Sequence, residues 1–340
     1  MRYLLATCLV FAAVQAAGAQ SFSPEAPANV QMVVWRGCED ACQSFIRFFE
    51  DRELPVKVTV TDIAKDRAVL PGVQTAILEE GPDLVVTWGT SVSVGLLGTR
   101  AEYGAATALG TIPALFMIVA DPVRSDLVES YEGSGRPTLT GVRNRVPEET
   151  QIALIQEYMR PKSVGVLVSP SEPNSVLNAE RVQELAAEAG FEVVRRDYDV
   201  GKDGAPDPRE IPRLMAALAR SGVDAVYVGS STFNLEHADA FTDAANAHGL
   251  PVFTAYAQMV QESGALMAVA NAYSNVGKLA ASQAAKILFE GVKPGDLPIA
   301  SLDRFSVFIN MNTAERLDLY PPIQLITIAE TIRPDDHGQR

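Results

Sequence analysis

The stretch Gly81-Pro82-Asp83-Leu84-Val85-Val86-Thr87-Trp88-Gly89-Thr90-Ser91 decides how the rest of the chain is read. Gly81-Pro82 ends what precedes it, and Leu84-Val85-Val86 is a short apolar run suited to a strand buried on both faces. Gly89-Thr90-Ser91 supplies a tight turn with small hydroxyls, after which Val92 to Gly98 can begin a helix capped by Thr90 or Ser91. A strand, a small polar turn and a helix start place free backbone N–H groups where open α/β sheets bind ligands.

Outward from that stretch, strand and helix signals alternate. Strands are expected over Asn29–Trp35, Pro55–Val60 and Ile112–Val119. Phe45, Phe48 and Phe49 mark a helix between the first two, and another, disturbed by Pro71-Gly72, is expected over Val69–Leu78. The turn-rich patch Gly133–Gly141 reads as a crossing between domains. A second α/β unit follows, with helices over Pro147–Met159, Pro173–Ala189 and Pro208–Ser221 and strands over Ser163–Val168 and Phe191–Arg195. Within it, Gly222-Val223-Asp224-Ala225-Val226-Tyr227-Val228-Gly229-Ser230-Ser231 echoes the opening stretch, and each copy leads through a helix to a strand opened by proline. Matching order and spacing point to duplication of one α/β unit. Gly264–Ala270, Asn275–Phe289 and Phe305–Ile309 then add strand, helix and strand. The fold class is α/β: two doubly wound, Rossmann-like lobes between which the chain crosses back. The lobes are expected at 29–141 plus about 265–300 and at 142–264 plus about 301–331, with a flexible tail over 332–340.

Residues 1–19 read as a cleavable signal peptide: Arg2, an apolar run from Tyr3 to Val14, and Ala17-Gly18-Ala19 before Gln20. A periplasmic location follows. The formal net charge of −14 argues against a nucleic-acid partner. Beyond the leader only Cys38 and Cys42 remain, and an oxidising compartment favours a disulfide between them. Geometry allows it with Cys38 in the loop and Cys42 in the first helical turn. Zinc is a poor alternative, since His237, His248 and His337 are distant in sequence. No phosphate loop or dinucleotide fingerprint occurs, and Gly89-Thr90-Ser91-Val92-Ser93 fails the nucleophile elbow at its last position. Nothing builds an activated nucleophile, so the reading is a binding protein without cofactor or metal, and not an enzyme. Turns at strand ends are the available chemistry: Ser91, Ser231 and Thr232 in corresponding turns, with Asn174-Ser175 and Asp121 after other strands. Trp35 and Trp88 both end strands, which suits an aromatic-lined crevice with Arg36 beside it.

With these residues assembled, the chain resembles the substrate-binding proteins of ATP-driven (ABC) importers, in the branch whose characterised members bind tryptophan and tyrosine. The resemblance runs from about Val30 to Ile328. It rests on Pro82-Asp83-Leu84-Val85-Val86 with Gly89-Thr90, Ile112-Pro113 leading to Asp121-Pro122-Val123, Leu139-Thr140-Gly141, Ser169-Pro170-Ser171-Glu172-Pro173-Asn174-Ser175, and Gly264-Ala265-Leu266. It implies the type I periplasmic-binding-protein fold, a three-crossing hinge, and a ligand clamped between lobes. Thr90, Ser91, Asp121, Asn174 and Ser175 would line the cleft, and the partners would be a small-molecule ligand and a membrane permease with its ATPase, the binding protein itself being a monomer. A sensory role, presenting the ligand to a receptor or kinase, is the alternative; a secreted α/β enzyme is a third. The family often carries acids where this chain has Ser230-Ser231-Thr232 and Tyr256-Ala257-Gln258. Asp121 is then the candidate partner for a ligand ammonium, and Arg36 for a ligand carboxylate.

Overall fold

A computed structural model describes residues 21–104, 109–201, 204–302 and 304–333. The expected signal peptide and nearly all of the expected tail lie outside these residues. Within them the chain forms two sheets. Strands β1 (Ala28–Val34), β2 (Val56–Asp62), β3 (Leu84–Trp88), β4 (Ala114–Val119) and β5 (Leu139–Arg143) build the first. The second holds β6 (Ser163–Val168), β7 (Glu192–Asp197), β8 (Ala225–Val228), β9 (Val252–Thr254) and β10 (Met267–Ala270). Next, β11 (Ala300–Ser301) returns to the first sheet, while β12 (Ser306–Asn310) and β13 (Ala329–Ile332) complete the second. The orders are β11-β5-β4-β3-β1-β2 and β13-β12-β10-β9-β8-β6-β7. Neighbours pair in parallel except β10 with β12. The opening stretch and its echo therefore hold equivalent places: β3 lies between β1 and β4 as β8 lies between β6 and β9.

Both faces of each sheet are covered, which explains the unbroken apolar runs in the central strands. On the first sheet, α1 (Asp40–Glu50) packs on one face and α2 (Leu70–Glu80) and α3 (Thr90–Leu97) on the other. On the second, α4 (Glu148–Met159) and α5 (Pro173–Ala189) oppose α6 (Ile211–Arg220), α8 (Ala238–Ala247) and α9 (Ala257–Gln261), with the short α7 (Thr232–Glu236) following β8. The long α10 (Tyr273–Glu290) packs beside α1 in the first lobe. Pro71 sits in the first turn of α2, where no N–H is required, so the helix is not disturbed there.

Three segments join the lobes: 144–147, 271–272, and the link between β11 and β12. Two expected boundaries move. Leu139, Thr140 and Gly141 are not in a crossing but in β5, buried between β4 and β11. Gly141 is required there because a Cβ would lie 2.5 Å from the Phe116 ring. Residues 265–270 belong to the second lobe, since β10 pairs with β9 and β12. The final strand also runs to Ile332, one residue past the point where fraying was expected.

Cys38 and Cys42 form a disulfide with Cα atoms 5.1 Å apart, Cys38 in the loop and Cys42 in the first turn of α1. So short a loop limits its stabilisation to about 2 kcal/mol by chain entropy. Its local effect is to fix the Arg36-Gly37 segment leading out of β1.

Candidate functional site

In each lobe the strand order reverses between the first and third strands, and in open α/β sheets the crevice beyond such a point holds ligand. Both crevices contribute to one cleft. Trp35 and Arg36 enter it after β1, and Trp88, Gly89, Thr90 and Ser91 come from the β3–α3 turn. Across from them stand Asn174, Thr232 and Tyr256 of the second lobe. Gly89, at φ 92°, serves as the N-cap of α3, and neither Thr90 nor Ser91 caps it as expected. Thr90 is thereby the first helical residue, and its hydroxyl is not spent on the cap.

The structure does not bring three expected residues to this cleft. Asp121 Oδ1 accepts the backbone N–H groups of Val123 and Arg124 at 3.1 and 2.9 Å, closing its own turn. Ser175 Oγ accepts the Ser169 N–H at 3.1 Å, behind the wall. Ser231 Oγ accepts the Asn234 N–H and donates to Glu172 at 2.6 Å, while Ser230 takes the lining position. Arg36 does line the cleft, but it is already paired with Glu39, at 2.6 and 3.3 Å, and lies over the Trp88 ring. Asp121, expected as the ammonium partner, and Arg36, expected as the carboxylate partner, are thus both already engaged within the chain.

Sequence reasoning missed the hinge. Asn144 and Arg145 lie in the first crossing, and Tyr273 follows the second; all three line the cleft. Asn271 Nδ2 donates to Asn144 O at 3.0 Å, tying the two crossings together. Arg145 lies 4.3 Å from the Tyr256 ring centroid, hydrogen-bonds the Tyr256 side chain, and makes long hydrogen bonds to Ala255 O at 3.3 Å and Ser230 Oγ at 3.4 Å. Among the described residues no carboxylate lies within ion-pair distance of it. Glu148 feels its charge from farther away but bonds Asn178 and pairs with Arg143 at 3.6 Å. Four buried polar atoms converge here without a partner among the described residues: Trp88 Nε1, Thr90 Oγ1, Asn144 Oδ1 and Arg145 Nε. Their residues are at most 8% exposed. Buried polar atoms are seldom left unsatisfied, so four in one cleft mark a place for a solute or ordered water. Ile118 also lines it, with φ 56° at a β4 irregularity. A β-branched residue in that region is strained, and such strain clusters at binding sites.

Glu172, after β6, is the one carboxylate of the wall among the described residues. Its oxygens accept Ser231 Oγ and the Phe233 N–H, at 2.6 and 3.0 Å. Burial holds its carboxyl above the ordinary range, opposed by those hydrogen bonds and by the charge of Arg36. From the ordinary carboxylate range up to that raised value, the folded chain keeps a proton that the unfolded chain has lost. This group's contribution to stability therefore declines as pH rises through that window. Glu172→Gln is expected to flatten the fall in melting temperature across it, measured by thermal melts from pH 4.5 to 7; an unchanged slope would place the titration elsewhere.

The lobes are closed on each other. Lys65 pairs with Glu236 at 2.9 Å, Arg124 with Glu184 at 3.0 Å, and Arg67 donates to Ser91 Oγ and Ser171 O at 2.8 and 3.0 Å. The cleft between them has ≈ 40 Å³ of room for the centres of water molecules. At ~10–15 Å³ each that is space for a few waters, so a larger solute requires the walls to part. Among the described residues no cluster of side chains could hold a metal ion, and no helix is long and apolar enough to cross a membrane.

Residues 53–332 match the family described as ABC transporter substrate binding protein. A tyrosine-binding protein of Clostridioides difficile (strain R20291) is 24% identical over 294 residues, 85% of this chain and 79% of that protein. A solved structure of a conserved domain protein from Vibrio cholerae superposes with a TM-score of 0.76 at 24% identity, covering 90% of this chain and 99% of that one. An ABC domain from Streptococcus pneumoniae in complex with L-Trp gives 0.74 at 21% identity, covering 89% and 100%. The two-sheet architecture is that of type I periplasmic binding proteins.

Proposed function

Since the chain belongs to the ABC transporter substrate-binding protein family, we propose that it captures a small organic carboxylate between its lobes and delivers it to the permease and ATPase of an importer. The observation that carries this reading is Arg145, a buried guanidinium at the mouth of the hinge with no carboxylate partner among the described residues. Arginine stays charged at any accessible pH, so an anion entering the cleft supplies the missing partner. The first turn of α3 offers backbone N–H groups to the same end, beside the unpartnered hydroxyl of Thr90. Trp35, Trp88 and Tyr256 suit an apolar or aromatic body. The relatives named for tyrosine and L-Trp support an aromatic ligand. The leader-like N-terminus and the Cys38–Cys42 bridge support an extracytoplasmic, oxidising location. The hinge segments 144–147 and 271–272 fit opening and closing around solute.

Thermal melts against a panel of small carboxylates and amino acids test this. A ligand present at ~100 times its Kd stabilises the closed form by ~2.7 kcal/mol and raises the melting temperature. Tryptophan emission should change with the same ligand, because Trp88 Nε1 is an unpartnered donor of the cleft. Trp88→Phe should weaken binding about tenfold, the loss of one buried hydrogen bond. Binding without any change in emission, and with Trp88→Phe at wild-type affinity, would remove Trp88 from the site.

A further inference from the structure

The balance of free donors and acceptors in the cleft says more about the solute than its size does. We propose that the solute is a carboxylate without an ammonium group, an aryl- or alkyl-carboxylate or a 2-oxo acid, and not an amino acid. The inference rests on the reading above that a small carboxylate is held between the lobes.

An ammonium group carries three N–H donors and a full charge, and burying it requires acceptors, one of them anionic. Among the described residues, the acids nearest the cleft are already engaged. Glu39 holds Arg36 through two hydrogen bonds, Glu236 pairs with Lys65, and Asp121 closes its own turn. Glu172 has one oxygen on the Ser231 hydroxyl and the other on the Phe233 N–H. Among the described residues that line the cleft, its remaining lone pairs make it the one route by which an amino group could be held. Against that, its charge already faces the N-terminus of α7, and burial disfavours its ionised form.

The unpartnered atoms lean the other way. Trp88 Nε1 and Arg145 Nε can only donate, Thr90 Oγ1 can do either, and Asn144 Oδ1 alone can only accept. Two obligate donors, one of them cationic, against one obligate acceptor, which is neutral, complement an anion with few donors of its own. The strand ends of the second lobe add Ser230 and Tyr256, both neutral, and no free acid among the described residues.

Matched pairs that differ in the α-amino group decide the matter on the wild-type chain by calorimetry. They are 3-(indol-3-yl)propanoate with L-tryptophan, 3-phenylpropanoate with L-phenylalanine, and 4-methylpentanoate with L-leucine. In at least one pair the des-amino acid is expected to bind roughly 100-fold tighter or more, the effect of leaving one buried charge unpaired. An amino acid that binds as tightly as its partner, or tighter, overturns the inference and leaves the solute-binding reading intact; loss of that binding in Glu172→Gln would show the acid responsible. Failure of every carboxylate in both series, with tryptamine binding instead, overturns the carboxylate reading and the inference together.

Discussion

Replacing Arg145 by methionine is expected to raise the melting temperature of the ligand-free protein while weakening solute binding roughly 100-fold or more. The two effects have one cause. Arg145 is 8% exposed and has no carboxylate within ion-pair distance among the described residues. Its compensation is neutral: the Tyr256 side chain, with its ring at 4.3 Å and a hydrogen bond, and two long hydrogen bonds of 3.3 and 3.4 Å. A cation–π contact contributes ~0.5–2 kcal/mol, whereas removing an ion from water costs several kcal/mol even after relaxation. Methionine keeps much of the stem's volume and removes the charge, so the empty protein should gain about 1–3 kcal/mol. That is a few degrees in melting temperature for a chain of this size. With a carboxylate solute bound as proposed, the sign is expected to reverse, because the solute would lose the cation that replaces its water. Differential scanning calorimetry with and without ligand reads both effects from one pair of samples. A lower melting temperature with unchanged affinity would make Arg145 a structural residue of the hinge. Arg145→Lys separates charge from shape: it keeps a cation but lacks the planar fork, and should recover part of the affinity.

Which parts of this site were legible depended on whether the deciding interaction was local in sequence. The β3–α3 turn and its echo after β8 were readable, because an apolar run, a glycine and small hydroxyls are a local pattern. Nine residues expected at strand ends do border the cleft, Trp35 and Thr232 among them. The lobe boundary near residue 265 was not readable: Gly264–Ala270 shows an apolar strand, and only its pairing with β9 and β12 assigns it to a sheet. The choice among acids depended on hydrogen-bond accounting. Asp121 and Glu172 both follow strands, but Asp121-Pro122-Val123 has the composition of a turn that consumes its own carboxylate. That signal was present in the sequence. Arg145 gave a weaker one, a charge set between Val142 and Val146, both buried. Its lack of an anionic partner exists only once the two crossings are brought together.

Gly277→Ala is expected to destabilise the first lobe by roughly 3 kcal/mol or more, although alanine is the better helix former. Gly277 lies in α10 against the backbone of α1, and a Cβ there would sit 2.1 Å from the Ala41 carbonyl oxygen and 2.8 Å from its carbon. Backbone cannot rotate aside as a side chain can, so the helices must separate. Around this contact α10 presents Val276, Ala280, Ala281 and Ala284 to Ala41, Cys42 and Phe45, and all of these are buried. Separation would therefore open voids along the whole seam. The helix-propensity gain of ~0.5–1 kcal/mol is too small to offset that. A melting temperature lower by roughly 5–10 °C is expected. Gly72→Ala supplies the opposite sign: Gly72 is in α2, and a Cβ there meets nothing within 4 Å. It should stabilise by about 0.5–1 kcal/mol. Equal effects at the two positions would show that α1 and α10 are not held at this distance. The substitution should also reach the cleft, because α1 carries Cys42, and its bridge to Cys38 fixes the loop that places Arg36 over Trp88. Weakened solute binding in Gly277→Ala at temperatures well below its melting point would trace that connection from helix seam to binding wall.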